Sequence, residues 1–87
     1  MKSINLLIEN EVGLHARPAT LFVNTAQKHT ANITVTFDGS SVDAKSILAL
    51  LTLGVHQGSE ITIAADGDDE DSALKALADL VASNFGE

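Results

Sequence analysis

The sequence predicts an α+β two-layer sandwich in the order β-α-β-β-α-β-α. Three observations carry that prediction. Several short stretches alternate apolar with polar residues, the period of a strand covered on one face. Between them lie stretches whose apolar residues recur at three- and four-residue spacing, the stripe of an amphipathic helix. Finally, 87 residues suit a single domain over 1–87 with one core.

The first strand is marked by Ile4, Leu6 and Ile8 alternating with Asn5 and Leu7. Ala19, Phe22, Val23 and Ala26 then fall at i, i+3, i+4 and i+7, which predicts a first helix over roughly 16–28. Lys28 and His29 are cations suited to the negative end of its dipole. In "ANITVTFDGSSVDA", Ile33, Val35 and Phe37 alternate with threonines. Asp38-Gly39 is a hairpin signal, so the second strand turns into a short third one reaching Val42. "KSILALLTLG" has Ser46 as N-cap and Gly54 as terminator of a short second helix. At about 100° per residue, Leu50, Leu53 and Ile47 share one side while Leu48 and Leu51 point the other way. A two-layer domain covers one side only, so some of these side chains are expected at the surface. Ile61, Ile63 and Ala65 mark the fourth strand. After the acidic run "DGDDEDS", Leu74, Leu77, Val81 and Phe85 form the core stripe of a third helix, helped by Ala73, Ala78 and Leu80.

Composition narrows the function classes. The net charge is −7 with five Lys and Arg, which leaves no basic patch for nucleic acid and favours partners with a basic docking surface. Cysteine is absent, so disulfides and thiolate metal sites are excluded, in keeping with a cytoplasmic location. The apolar run in "MKSINLLIE" is too short for a signal-peptide core or a membrane span.

The chemistry concentrates in "VGLHARPAT", residues 12–20. With His15 at the N-cap, Ala16, Arg17 and Pro18 form the first helical turn, where N–H groups have no acceptor within the helix and proline breaks no bond. A helix start of this kind favours anions, and the Arg17 guanidinium grips phosphoryl oxygens. Gly13 allows a sharp entry without a Cβ in the way. If the neutral imidazole takes a phosphoryl group, the dianion formed is held by the backbone amides of Ala16 and Arg17 and by the guanidinium. The competing explanations are a capping histidine and a solvated arginine. The joint arrangement favours a phosphohistidine site.

"GLHARPAT", "KSILALLTLG" and "GSEITIAADGDDEDSAL" together resemble HPr, the histidine-containing phosphocarrier family of the bacterial phosphoenolpyruvate:sugar phosphotransferase system. The resemblance covers essentially the whole chain. It implies an open-faced β-sandwich, four antiparallel strands with three helices on one face. It also implies that His15 carries a phosphoryl group on Nδ1, with Arg17 beside it. Enzyme I is the implied donor and IIA domains of sugar permeases the implied acceptors. Such a chain is a carrier rather than an independent enzyme, needs no cofactor, and is expected to work as a cytoplasmic monomer. Ile47, Leu48 and Leu51, with Thr20 on the first helix, become candidate docking residues. Ser46 matches the serine that an ATP-dependent kinase modifies in Gram-positive relatives, so an HPr serine kinase joins the candidate partners. Two departures concern partner choice: "NEV" precedes Gly13 where small polar residues are common, so Val12 offers phosphate no side-chain hydrogen bond. Asn24, Gln27 and Ala49 stand where some members have lysine. A nitrogen-type phosphotransferase carrier and a purely regulatory binding module are the alternatives.

The remaining polar residues have structural explanations. The acids Asp66, Asp68, Asp69, Glu70 and Asp71 lack the loop length and distant glutamate of a calcium loop and suit a helix start. His29 and His56 have no helical spacing with His15, so no metal site is expected; His29 is a helix-end cation and His56 a turn residue. Lys45 is a solvated charge close to Ser46.

Overall fold

The computed structural model describes residues 1–11 and 13–86, so the reading of Val12 lies outside the described residues. Strands β1 (Lys2–Leu7), β2 (Asn32–Phe37), β3 (Ser40–Asp43) and β4 (Glu60–Asp66) form a sheet in the order β1-β4-β2-β3, every neighbouring pair antiparallel. Helices α1 (Ala16–Gln27), α2 (Ile47–Thr52) and α3 (Glu70–Ala82) complete the order β-α-β-β-α-β-α, followed by a short 3-10 turn at Asn84–Gly86.

Register explains why one sheet face is covered and the other open. Ile4, Ile63, Val35 and Val42 stand side by side across all four strands, as do Asn5, Thr62, Thr36 and Ser41 one position on. Successive side chains of a strand point to opposite faces, so the first row meets the helices and the second meets water. In the polar row Thr62 Oγ1 donates to Asn5 Oδ1 at 2.7 Å, and the Thr36 and Ser41 hydroxyls pair at 2.6 Å. On the apolar side, Val35, Ile61 and Ile63 are completely buried with Phe22, Leu50 and Leu77 of the helices. Each such side chain contributes about 1.5–3 kcal/mol by leaving water. Helix α3 lies on β1 and β4, α1 packs against α3 and α2, and α2 also touches β3.

Two elements end earlier than the periodicity predicts. Strand β1 stops at Leu7, yet Ile8 is fully buried from the loop beyond it, while Ile4 and Leu6 are only partly covered at this edge of the sheet. Similarly, α3 ends at Ala82. Phe85 reaches the core from the 3-10 turn, with φ +58° that no helix residue adopts, and is 1% exposed. Burial of a large ring at i+4 mimics a continued helical stripe, which is why spacing alone misplaces it.

Candidate functional site

Helix α1 begins as its sequence dictates. His15 is the N-cap, in extended backbone at φ −84° and ψ −169°, and its carbonyl accepts the Ala19 amide at 2.8 Å. Its imidazole makes no capping hydrogen bond, so the ring does not serve the purely structural role a histidine at a helix start can have. His15, Ala16 and Arg17 are exposed, whereas Pro18 and Ala19 are buried and root the first turn in the core. The arrangement therefore presents an imidazole, a guanidinium and the positive end of a 12-residue helix at one surface. Thr20 is exposed one turn on, and its hydroxyl donates to Ala16 O at 2.7 Å.

What aims this helix start lies just before it, in Gly13 and Leu14 of the motif and in residues outside it. Gly13 has φ +60°, and a Cβ there would come 2.5 Å from Val55 O and 2.6 Å from His56 Cα. Leu14 follows, 3% exposed, its amide donating to Val55 O at 3.1 Å. The 55–59 segment is tied down in turn. The Ile8 amide donates to Ser59 O at 2.8 Å, the Gly58 amide to Ile8 O at 2.7 Å, and the His56 amide to Ser59 Oγ at 3.1 Å. Asn10 and Ser59 are buried polar residues of this brace, and sequence reasoning passes over both. For Asn10 the available signal was its spacing of three from Gly13, a turn pattern.

Helix α2 brings the second candidate group alongside α1. Ser46 is its N-cap, half-buried, with Oγ accepting the Ala49 amide at 3.3 Å. The two sides of α2 separate as its spacing predicts: Leu50 is completely buried, Leu48 is 74% exposed and Leu51 40%. Ile47 is half-buried and packs against the core, so it is as much a structural residue as a surface one. Lys45 departs from the solvated charge expected of it. It is half-buried and its Nζ donates to His29 O at 2.7 Å, because the end of α1 presents carbonyls that a nearby ammonium satisfies. Lys45 O also accepts Gln27 Nε2 at 3.2 Å, joining the two helices. The His29 ring donates through Nδ1 to Thr25 O at 3.0 Å, which a neutral imidazole does as well as a cation. His56 is an exposed turn residue, Nδ1 donating to Gln57 O and its ring perpendicular to that of Phe37 with centroids 6.1 Å apart.

The acidic run has a structural use. Asp69 accepts the Thr30 and Ala31 amides, both at 2.8 Å, and these bonds hold its carboxyl below the usual carboxylate range. Glu70 accepts the Gly67 amide, and Asp71 pairs with Lys2 at 2.7 Å. Charge is unevenly placed: residues 12–37 and 44–59, which include α1 and α2, contain no Asp or Glu, yet hold Arg17, Lys28 and Lys45. The acidic residues thus lie outside α1 and α2 themselves, although Glu11 precedes the His15 segment and Asp43 Oδ1 accepts the Lys45 amide at 2.9 Å just before α2.

Among the described residues, no helix is long and apolar enough to cross a membrane. The PTS-HPr family model, described as the PTS HPr component phosphorylation site, matches residues 2–83. The structure is similar to an HPr from Thermoanaerobacter tengcongensis, with 52% identity, TM-score 0.98, and coverage of 100% of this chain and 98% of that one. It is also similar to the phosphocarrier protein HPr of Bacillus anthracis, 41% identical with TM-score 0.89, covering 92% of this chain and 95% of that one. A more distant likeness is to Crh, the Bacillus subtilis catabolite repression protein, crystallised as a swapped, intertwined dimer. It is 38% identical with TM-score 0.72, covering 99% of this chain and 94% of the other. Motif, topology and full-length likeness converge, and the chain belongs to the HPr family of phosphotransferase-system phosphocarriers.

Proposed function

We propose that His15 is the residue that carries the phosphoryl group, received from phospho-enzyme I and delivered to IIA domains of sugar permeases. The observation that carries this reading is an exposed N-cap imidazole, free of capping duty, at the start of α1 with Ala16 and Arg17 behind it. In the first step the lone pair of His15 Nδ1 attacks phosphorus as the bond from phosphorus to the donor breaks. The donor's leaving group departs with that electron pair, and the phosphoryl dianion comes to rest against the helix start. Ala16 and Arg17 backbone amides and the Arg17 guanidinium stabilise it in place. In the second step the IIA nucleophile repeats the displacement, and His15 is regenerated. The donor and acceptor proteins supply the rest of each active site, so the chain itself acts as a carrier and not as a free-standing enzyme.

Docking falls to the apolar Leu48 and Leu51, flanked by Ile47 and Thr20, on helices whose own sequences hold no acidic residue. A partner surface that is apolar at its centre and acidic at its rim complements it. Phosphorylation of Ser46 by a serine kinase places a dianion beside that patch and slows transfer by repelling such a rim. A cytoplasmic monomer suits successive docking, and sedimentation at working concentration tests the monomer. Transfer is tested by isolating the phosphorylated chain and adding a IIA domain. Loss of phosphate from this chain with gain by IIA is the expected result. Transfer only to regulatory acceptors would assign it to a nitrogen-type circuit. A regulatory binding module is the second reading, favoured by the likeness to Crh; retention of phosphate in the presence of every acceptor, with binding through Leu48 and Leu51, would support it.

A further inference from the structure

We propose that Asn10 is a positioning residue for His15, an inference that rests on the carrier reading above. Asn10 is 6% exposed, and its Nδ2 donates to Gly13 O at 2.8 Å while the Gly13 amide donates back to Asn10 O at 3.2 Å. These two bonds close the chain on itself immediately before the site. They hold Gly13 at φ +60° against Val55 and His56, where no side chain fits. Leu14, buried and bonded to Val55 O, is consequently fixed in place, and His15 is the next residue. The wall it rests on is rigid for independent reasons, through Ile8, Gly58 and Ser59.

Remove the Asn10 donor and Gly13 O loses its buried partner, so the segment is free to lift from the wall. The imidazole and the first-turn amides then shift together relative to an incoming phosphoryl group. A misplacement of about 1 Å in such a transfer lowers the rate by roughly 10²-fold. Helix α2 is anchored separately, by the Ser46 cap and by Leu50. Its exposed leucines are therefore left in place, and docking is preserved.

The experiment compares the parent with Asn10→Ala and Asn10→Asp, the latter retaining the shape of asparagine but unable to donate when ionised. Steady-state phosphorylation by enzyme I and phosphoenolpyruvate is measured at a temperature where circular dichroism shows the variants folded. Amide hydrogen exchange at Leu14 is followed in parallel. Expected are a kcat reduced at least tenfold in both variants, a KM for this chain within twofold of the parent's, and faster exchange at Leu14. If only one variant folds, the same comparison is made with that one. A parent that accepts phosphate beside variants of unchanged kcat, or a change confined to KM, overturns the role of Asn10 and leaves the carrier reading standing. A parent that accepts no phosphate overturns the carrier reading and the role with it.

Discussion

Substituting Gly13 by alanine is expected to destabilise the protein by about 3 kcal/mol, a figure that follows from three contributions. An L-residue in left-handed backbone costs roughly 1–2 kcal/mol, and Gly13 sits at φ +60°. The added Cβ would lie 2.5 Å from Val55 O and 2.6 Å from His56 Cα, both backbone atoms that cannot swing aside. Relief requires the two segments to separate, which breaks the 3.1 Å bond from the Leu14 amide to Val55 O. That loss is worth about 1 kcal/mol, and partial exposure of Leu14 adds about another 0.5–1 kcal/mol. For a domain of this size each kcal/mol lowers the melting temperature by about 4–8 °C, so a drop of at least ~12 °C is expected in a circular dichroism melt. A drop below about 5 °C would show that the 55–56 wall yields easily. The account of how His15 is aimed would then be refuted.

Two positions of α2 should behave oppositely. Leu50→Ala, at a fully buried site, is expected to cost about 2–4 kcal/mol in denaturant titrations, whereas Leu48→Ala should change stability by less than about 0.5 kcal/mol yet raise KM in transfer assays. Ser46→Ala removes the N-cap and should cost about 0.5–1 kcal/mol, while Ser46→Asp should slow phosphorylation of His15 without unfolding the protein. The carboxyl of Asp69 titrates lower folded than unfolded, so its stabilisation is present above its unfolded pKa and is lost as pH falls through the lower folded value. Melting temperatures measured from pH 5 down to about 2 should fall less steeply for Asp69→Asn than for the parent.

The parts of the fold legible in the sequence are those where periodicity reports local environment. The alternation of Ile33, Val35 and Phe37, and the split of Leu48 from Leu50, reflect which side faces the other layer, and both appear in the structure. Strand order is different in kind: β1 and β2 both pair with β4, which follows them by dozens of residues, and no local spacing encodes that choice. Long-range polar contacts were equally silent. Asp69 reaches across to Thr30 and Ala31, and Lys45 to His29, so a cluster of acids and a solitary lysine acquire structural roles only once the chain is folded. The candidate site was legible at His15 and Arg17 because helix-start chemistry is written in consecutive residues. Val55, which braces the site, acts through tertiary contact and carries no motif of its own, whereas Asn10 acts through a local turn that its spacing from Gly13 only faintly signals.

The central claim is that His15 takes a phosphoryl group, and the most direct measurement is the intact mass of the protein after incubation with enzyme I, phosphoenolpyruvate and magnesium, beside His15→Ala. The account predicts that the parent gains a single acid-labile phosphoryl group and that His15→Ala gains none. Equal gain by the two proteins, or no gain by the parent with an enzyme I that phosphorylates another HPr, would contradict it.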